Sequence, residues 1–289
     1  MVNILIIAKE ALILSALYAL VAVGFTLIFG VGGVLNLSHG ASLTIGAFAG
    51  HYAAQVYGLG VPGAILASIF VPGLFGALLY LGPIRRVQDE PIIVMIMTLV
   101  TAVAIESLFL VVEGAGAQTT LQLIQGRTPA IGGVAIGYNQ LLMFIVSWVL
   151  LGLLFLYVNE TDTGRAILAT SQDRKGAFLV GIDSSRINLW MWILAGMLAG
   201  IAGLFLASYG LGVAPTMGRQ PLVLSFSIVV LGGLGSIRGS VIGAYIIGTL
   251  EVLTTSLVDP RLQGLAPLIV LIAVLLVKPS GLFGREVRA

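Results

Sequence analysis

The amino-acid sequence predicts an all-α polytopic membrane protein of eight to nine spans, with broken helices and a possible internal repeat. Three observations carry this prediction. Of 289 residues, 58% are hydrophobic and 9% are charged, whereas a soluble domain is about 25% charged. Mean hydropathy is +1.11. Apolar runs of near-spanning length recur along the whole chain.

A transmembrane helix needs roughly 20 mostly apolar residues to cross about 30 Å of hydrocarbon. The first run, 8–29, is too long for a signal h-region and lacks a small-residue cleavage site after a basic head, so it reads as a retained span. The next candidates are 40–57, 62–82, 92–112, 139–158, 189–209, 222–235, 239–258 and 264–277. The second, seventh and ninth are short. Lipid offers backbone groups no hydrogen bonds, so a short, glycine-broken span requires surrounding protein or a wet cavity. The chain reads as one transmembrane domain, 1–289.

The charges set an expected orientation. With nine spans, one side receives Arg85, Arg86, Arg165, Arg174, Lys175, Arg186, Arg238, Lys278, Arg285 and Arg288, and the other Lys9, Arg127, Arg219 and Arg261. The cation-rich side is expected to be cytoplasmic, which puts the C-terminus inside and the N-terminus outside. The net charge of +2 then reflects topology, and no nucleic-acid partner is expected. Zero cysteines and two histidines, His39 and His51, leave no basis for disulfides, a Cys nucleophile or a metal centre.

The longest inside loop, 159–188, is unusual for its content. It holds LATSQDRKGAFLVGIDSSRI at 168–187, with Asp173, Arg174, Lys175, Asp183 and Arg186 in an otherwise apolar chain. Residues 166–170 and 175–180 are each expected to form a short helix, with Asp173 near the positive N-terminus of the second. Ala177 with Gly181, and Phe178 with Ile182, lie four apart and could form an apolar knob beside the charges. The pattern alone permits a solvated topogenic loop or a docking surface.

Within the membrane, Gly46 and Gly50, Gly196 and Gly200, and Gly239 and Gly243 have GxxxG spacing, which predicts close helix packing. Two breaks stand out. Residues 31–48 carry Asn36, Ser38, His39 and Gly40, with Asn36 or Ser38 able to cap the helix that follows. Residues 229–245 carry Gly232, Gly233, Gly235 and Ser236 before another small-residue helix. Paired breaks in two halves of a chain point to a transport pathway. Their glycine spacings differ, and neither is a phosphate loop, since GxxxxGK[ST] does not occur. Glu106 and Glu251 lie inside spans, with Glu10 near an interface; each needs a partner, a proton or water. His39 is expected to orient the first break, and His51 to pack or face an interface.

LNLSHGASLTIGAF (35–48), SQDRKGAFLVGI (171–182) and SFSIVVLGGLGSIRGSVIGAYIIG (225–248) together resemble permease subunits of branched-chain amino acid ABC importers, LivH type. The resemblance implies a prokaryotic inner-membrane subunit with no catalytic site, metal or cofactor of its own. ATP and Mg would be used by two cytoplasmic ATP-binding partners. A second related permease and an extracytoplasmic substrate-binding protein complete the machine. Gln172, Asp173, Arg174, Lys175, Ala177, Phe178, Gly181 and Ile182 match the segment that couples to the ATPase. This chain departs from the family's common Glu-Ala-Ala with Lys175, Gly176 and Ala177, which reverses one charge and weakens a helix by about 1 kcal/mol at the glycine.

The implied mechanism is alternating access, with Asn36–Gly40 and Gly232–Gly239, in particular Gly232, Gly233, Gly235 and Ser236, expected to line or gate the path. Few polar groups and no ring of one charge sign fit a zwitterionic apolar solute such as leucine, isoleucine or valine. Urea or short amides carried by the same machine are the alternative. An ATP-independent carrier using Glu106 and Glu251 is a further one.

Overall fold

The computed structural model describes residues 4–116, 123–130, 133–278 and 281–283. The axis of the bundle is α1 (Ile4–Gly32), which is apolar on every side, the pattern of a helix surrounded by protein. Ala16, Leu17, Ala19, Leu20, Ala22 and Val23 are fully buried. Around it lie α9, α10, α11 and α6. Thr26 of α1 and Ser240 of α11, both buried, share a hydrogen bond of 2.5 Å.

After a six-residue break comes α2 (His39–His51), which runs into a π turn at Tyr52–Val56. Next, α3 (Gly60–Leu79) continues through a second π turn, Tyr80–Ile84, into α4 (Arg85–Val87). Then α5 (Pro91–Glu113) begins on a proline, which costs nothing in a first turn because its N–H would be unbonded there. The chain continues with α6 (Tyr138–Glu160), α7 (Asp162–Gln172), α8 (Arg174–Leu179), α9 (Ser184–Leu206), α10 (Arg219–Gly232), α11 (Ile237–Leu257) and α12 (Leu265–Val277). No strand occurs among the described residues; Arg127 and Gly137 form one isolated bridge.

Among the described residues, six helical stretches are long and apolar enough to cross a membrane: Ile4–Gly32, Gly60–Val87, Pro91–Glu113, Tyr138–Glu160, Ser184–Gly210 and Ile237–Leu257. That is fewer than the eight to nine expected. The other three candidates are the helices α2, α10 and α12, of 13, 14 and 13 residues. At 1.5 Å per residue α10 and α12 each cover about 20 Å, short of a core of about 30 Å, and α2 reaches further only through its π turn, to Val56. Hydropathy reads apolar composition and not depth, so 40–57, 222–235 and 264–277 read as spans although each lies almost wholly within one short helical stretch.

The GxxxG positions are contact points between backbones. A Cβ on Gly46 of α2 would overlap the Cα of Gly200 on α9. One on Gly196 would overlap the Pro72 carbonyl oxygen of α3. Thus α9 is gripped between α2 and α3, and its small residues let Pro72 sit inside α3 without a clash.

One end of the bundle gathers α7, α8, the α4–α5 turn, the α10–α11 turn and residues 281–283, whose Leu282 and Phe283 amides donate to the carbonyls of Leu231 and Gly232. Arg85, Arg86, Arg165, Arg174, Lys175, Arg186, Arg238 and Lys278 belong to the segments at this end. Arg285 and Arg288 lie outside the described residues. At the opposite end, Glu10 pairs with Lys9 at 2.8 Å and accepts hydrogen bonds from Tyr209 and Gln140.

Candidate functional site

The 159–188 segment is ordered by its own polar residues. Thr161 caps α7 by accepting from the Gly164 amide. Asp173 caps α8 by accepting from the Lys175 amide at 3.0 Å, and Asp183 caps α9 by accepting from the amides of Ser185 and Arg186. Arg174 forms an ion pair of 3.0 Å with Asp89 in the turn before α5. At the far end of α8, Gly181 adopts φ +87° and the Ile182 amide closes onto the Ala177 carbonyl. Both ends of this six-residue helix are therefore fixed.

The apolar knob differs from the one expected. Ala177 is buried and Ile182 packs on the core, so they anchor α8 from beneath. Phe178, Leu179 and Val180 project instead, 71%, 83% and 77% exposed. Lys175 is exposed beside them, and Gln172 closes α7 at the rim of a cavity.

The first break is built around Asn36. Its Oδ1 accepts from the Ser38 amide at 3.0 Å and the Ser38 hydroxyl at 2.6 Å, so Asn36 holds the turn while Ser38 occupies the N-cap without a side-chain cap bond. The Leu37 amide donates to Thr98 of α5. His39 is fully buried; its Nε2 donates to the Val21 carbonyl at 2.9 Å and its ring stands edge-on to Phe25. This pins the start of α2 to the middle of α1, an orienting role. Gly40 touches the turn before α10, where a Cβ would lie 2.8 Å from the Gly218 carbonyl oxygen.

The second break is a tight turn at the loop-bearing end. Gly233 and Gly235 take φ of +100° and +81°, and Ser236 caps α11 by accepting from the Gly239 amide. Gly232 meets Gly239 backbone to backbone. Gly235 and Ser236 border a cavity of about 940 Å³ whose wall also includes Gly30, Asn159, Gln172 and Arg238. The two breaks thus have different surroundings: the first re-enters to mid-depth, and the second borders this cavity beneath α7.

Two carboxylates inside the bundle have partners. Glu251 of α11 is buried, and its Oε1 accepts from the Gly264 amide at 2.8 Å, tying down the turn before α12. Replacement by Gln keeps an acceptor there and is expected to leave the thermal midpoint of the purified protein nearly unchanged. Replacement by Leu removes the acceptor and is expected to cost about 1–3 kcal/mol, read as a lowered midpoint. Glu106 of α5 forms a bidentate ion pair with Arg219, with Nε to Oε2 at 2.8 Å. The sequence placed Arg219 in an outer loop with Lys9, Arg127 and Arg261. In the structure it opens α10, at the opposite end of that 14-residue helix from the loop-bearing end. Pro215, Gly218 and Pro221 around it read as loop punctuation, and nothing local signals a partner 113 positions away.

A family described as "Branched-chain amino acid transport system / permease component" matches residues 7–275. The chain belongs to this family. The high-affinity branched-chain amino acid transport system permease protein LivH of Escherichia coli (strain K12) is 28% identical over 94% of this chain and 92% of its own length. The probable branched-chain amino acid transport permease protein LivH of Methanocaldococcus jannaschii is 31% identical over 97% and 92%. The ribose import permease protein RbsC of Bacillus subtilis is 30% identical over 82% and 73%. No solved structure matches. This permease is a multi-pass, all-helical membrane protein.

Proposed function

We propose that this permease forms the translocation pathway of an ATP-driven importer for leucine, isoleucine and valine, and that α8 is the piece gripped by a cytoplasmic ATPase. The observation that carries the reading is the exposed Phe178–Val180 knob on a helix fixed at both ends. An isolated apolar knob on a soluble-facing helix is a protein-docking feature. Its fixed ends suit it to transmit displacement, since a floppy loop would absorb the stroke.

In this reading the cation-rich end faces the cytoplasm. Two ATP-binding subunits bind there, a second related permease completes the pathway, and a substrate-binding protein delivers solute from outside. This chain supplies no ATPase site. Asn36, Ser38, His39 and Gly40 set the position of α2 along the path, and Gly232, Gly233, Gly235 and Ser236 shape its cytoplasmic mouth. The names of the LivH relatives support branched-chain amino acids as the cargo.

Uptake of radiolabelled leucine and, in parallel, urea into proteoliposomes tests this, with the permease reconstituted alongside its ATPases, second permease and binding protein. Leucine uptake that needs both ATP and the binding protein, and that fails when 172–182 is scrambled, is the expected result. Urea uptake alone would overturn the substrate, and uptake by the permease without any ATPase would overturn the machine.

A further inference from the structure

We infer that Arg219 and Glu106 form a clamp for the charged end of the transported solute, with the guanidinium taking its carboxylate and Glu106 its ammonium. This rests on the import function proposed above.

The depth of the pair is the first argument. Arg219 opens α10, whose last residue, Gly232, lies at the loop-bearing end. Glu106 is the sixteenth residue of α5, which starts at that same end. At 1.5 Å per residue both groups stand about 20 Å along the bundle, within a hydrocarbon layer of about 30 Å. Yet the Arg219 side chain is 72% exposed, against 16% for Glu106. An ionised guanidinium cannot face acyl chains at that depth without a large cost, so this face is covered by protein or lined with water.

The surroundings specify the ligand. The pair borders a recess between the first turns of α2 and α10, where Gly40 and Gly218 touch, and among the described residues no other charged side chain lines it. Both helix N-termini add partial positive charge. Arg219 together with these termini outweighs the one carboxylate, which favours an incoming anion. Leu37, Ala102, Ile105 and Leu222 supply an apolar wall for an aliphatic side chain. A zwitterion satisfies each charge as the pair opens, so neither is left bare in low dielectric. The recess as it stands, about 50 Å³, holds roughly two waters and no amino acid. Entry of the solute therefore requires the pair to part.

This chain contains no cysteine, so a single introduced one gives a direct test in the importer assembled with partner subunits whose own cysteines have been replaced. Ala102→Cys, which keeps both charges, is expected to react with a charged, water-soluble methanethiosulfonate about ten-fold or more faster than Val149→Cys on the outward face of α6. Saturating leucine, with ATP and binding protein, is expected to slow that reaction. Glu106→Gln and Arg219→Gln are each expected to lower leucine uptake at least about ten-fold while binding-protein-stimulated ATP hydrolysis persists. The exchanged pair, Glu106→Arg with Arg219→Glu, is expected to stay impaired. An unreactive Ala102→Cys variant, no protection by leucine, wild-type uptake in the neutral variants, or full rescue by the exchanged pair would each overturn the clamp. Absence of ATP-dependent leucine uptake in the unaltered importer would instead overturn the proposed function.

Discussion

Phe178→Asp or Leu179→Asp is expected to reduce ATP-dependent uptake by about 100-fold or more while leaving the thermal midpoint of the isolated permease unchanged. The two side chains touch almost nothing in the bundle, being 71% and 83% exposed, so their loss removes little folding energy. In a docked complex the same carboxylate would be buried without a partner, at a cost of about 3–5 kcal/mol. Roughly 3 kcal/mol is already a 100-fold loss of affinity. Co-purification of the ATPase with the permease, measured beside uptake, locates the defect. A variant that still binds ATPase and transports normally would place docking elsewhere.

Gly46→Val is expected to prevent accumulation of folded permease. Its Cβ would overlap both the Cα and the carbonyl oxygen of Gly200, and these are backbone atoms that no rotamer change can move aside. Overpacking of this kind costs about 3 kcal/mol or more when neighbours cannot yield. Gly152→Ala is the contrasting case. No atom lies within 4 Å of that Cβ, and the helix gains up to about 1 kcal/mol of propensity. Monodispersity and thermal midpoint in detergent separate the two. A monodisperse Gly46→Val protein with the wild-type midpoint would show that the α2–α9 contact relaxes more readily than its geometry allows.

The long apolar helices were legible because composition alone dictates them: 8–29 lies within α1, and 139–158 within α6. The paired helices of the loop were legible in part: 166–170 lies inside the longer α7, and 175–180 nearly coincides with α8, whose capping residue Asp173 stands one position before it. Depth was not legible. Whether residues 40–57 and 222–235 cross the bilayer or re-enter halfway depends on where Leu37, His39 and Gly218 find partners, and those lie in distant parts of the chain. The same limit hid the pairing of Glu106 with Arg219 and of Arg174 with Asp89. Four-residue spacing misplaces the knob because it cannot say which face of a short helix the protein covers. Burial of Ala177 decides it, which leaves Phe178, Leu179 and Val180 outward.

Asp89 holds Arg174 two residues before α5 begins, and the same helix carries Glu106 at its sixteenth position. Little of α5 is enclosed by its neighbours, with Val94 and Thr98 its only buried residues. It is thus a stiff rod in a loose sleeve, tied at its foot to α8 and bearing two-thirds of the way along one half of an ion pair. A push on the foot would travel along the rod without being dissipated by side-chain interlocking, and would arrive as a change in the gap between two opposite charges. Because that gap scales a Coulomb attraction, a displacement of an ångström or so at the membrane surface would, in the proposed clamp, change how tightly a zwitterion is held about 20 Å away.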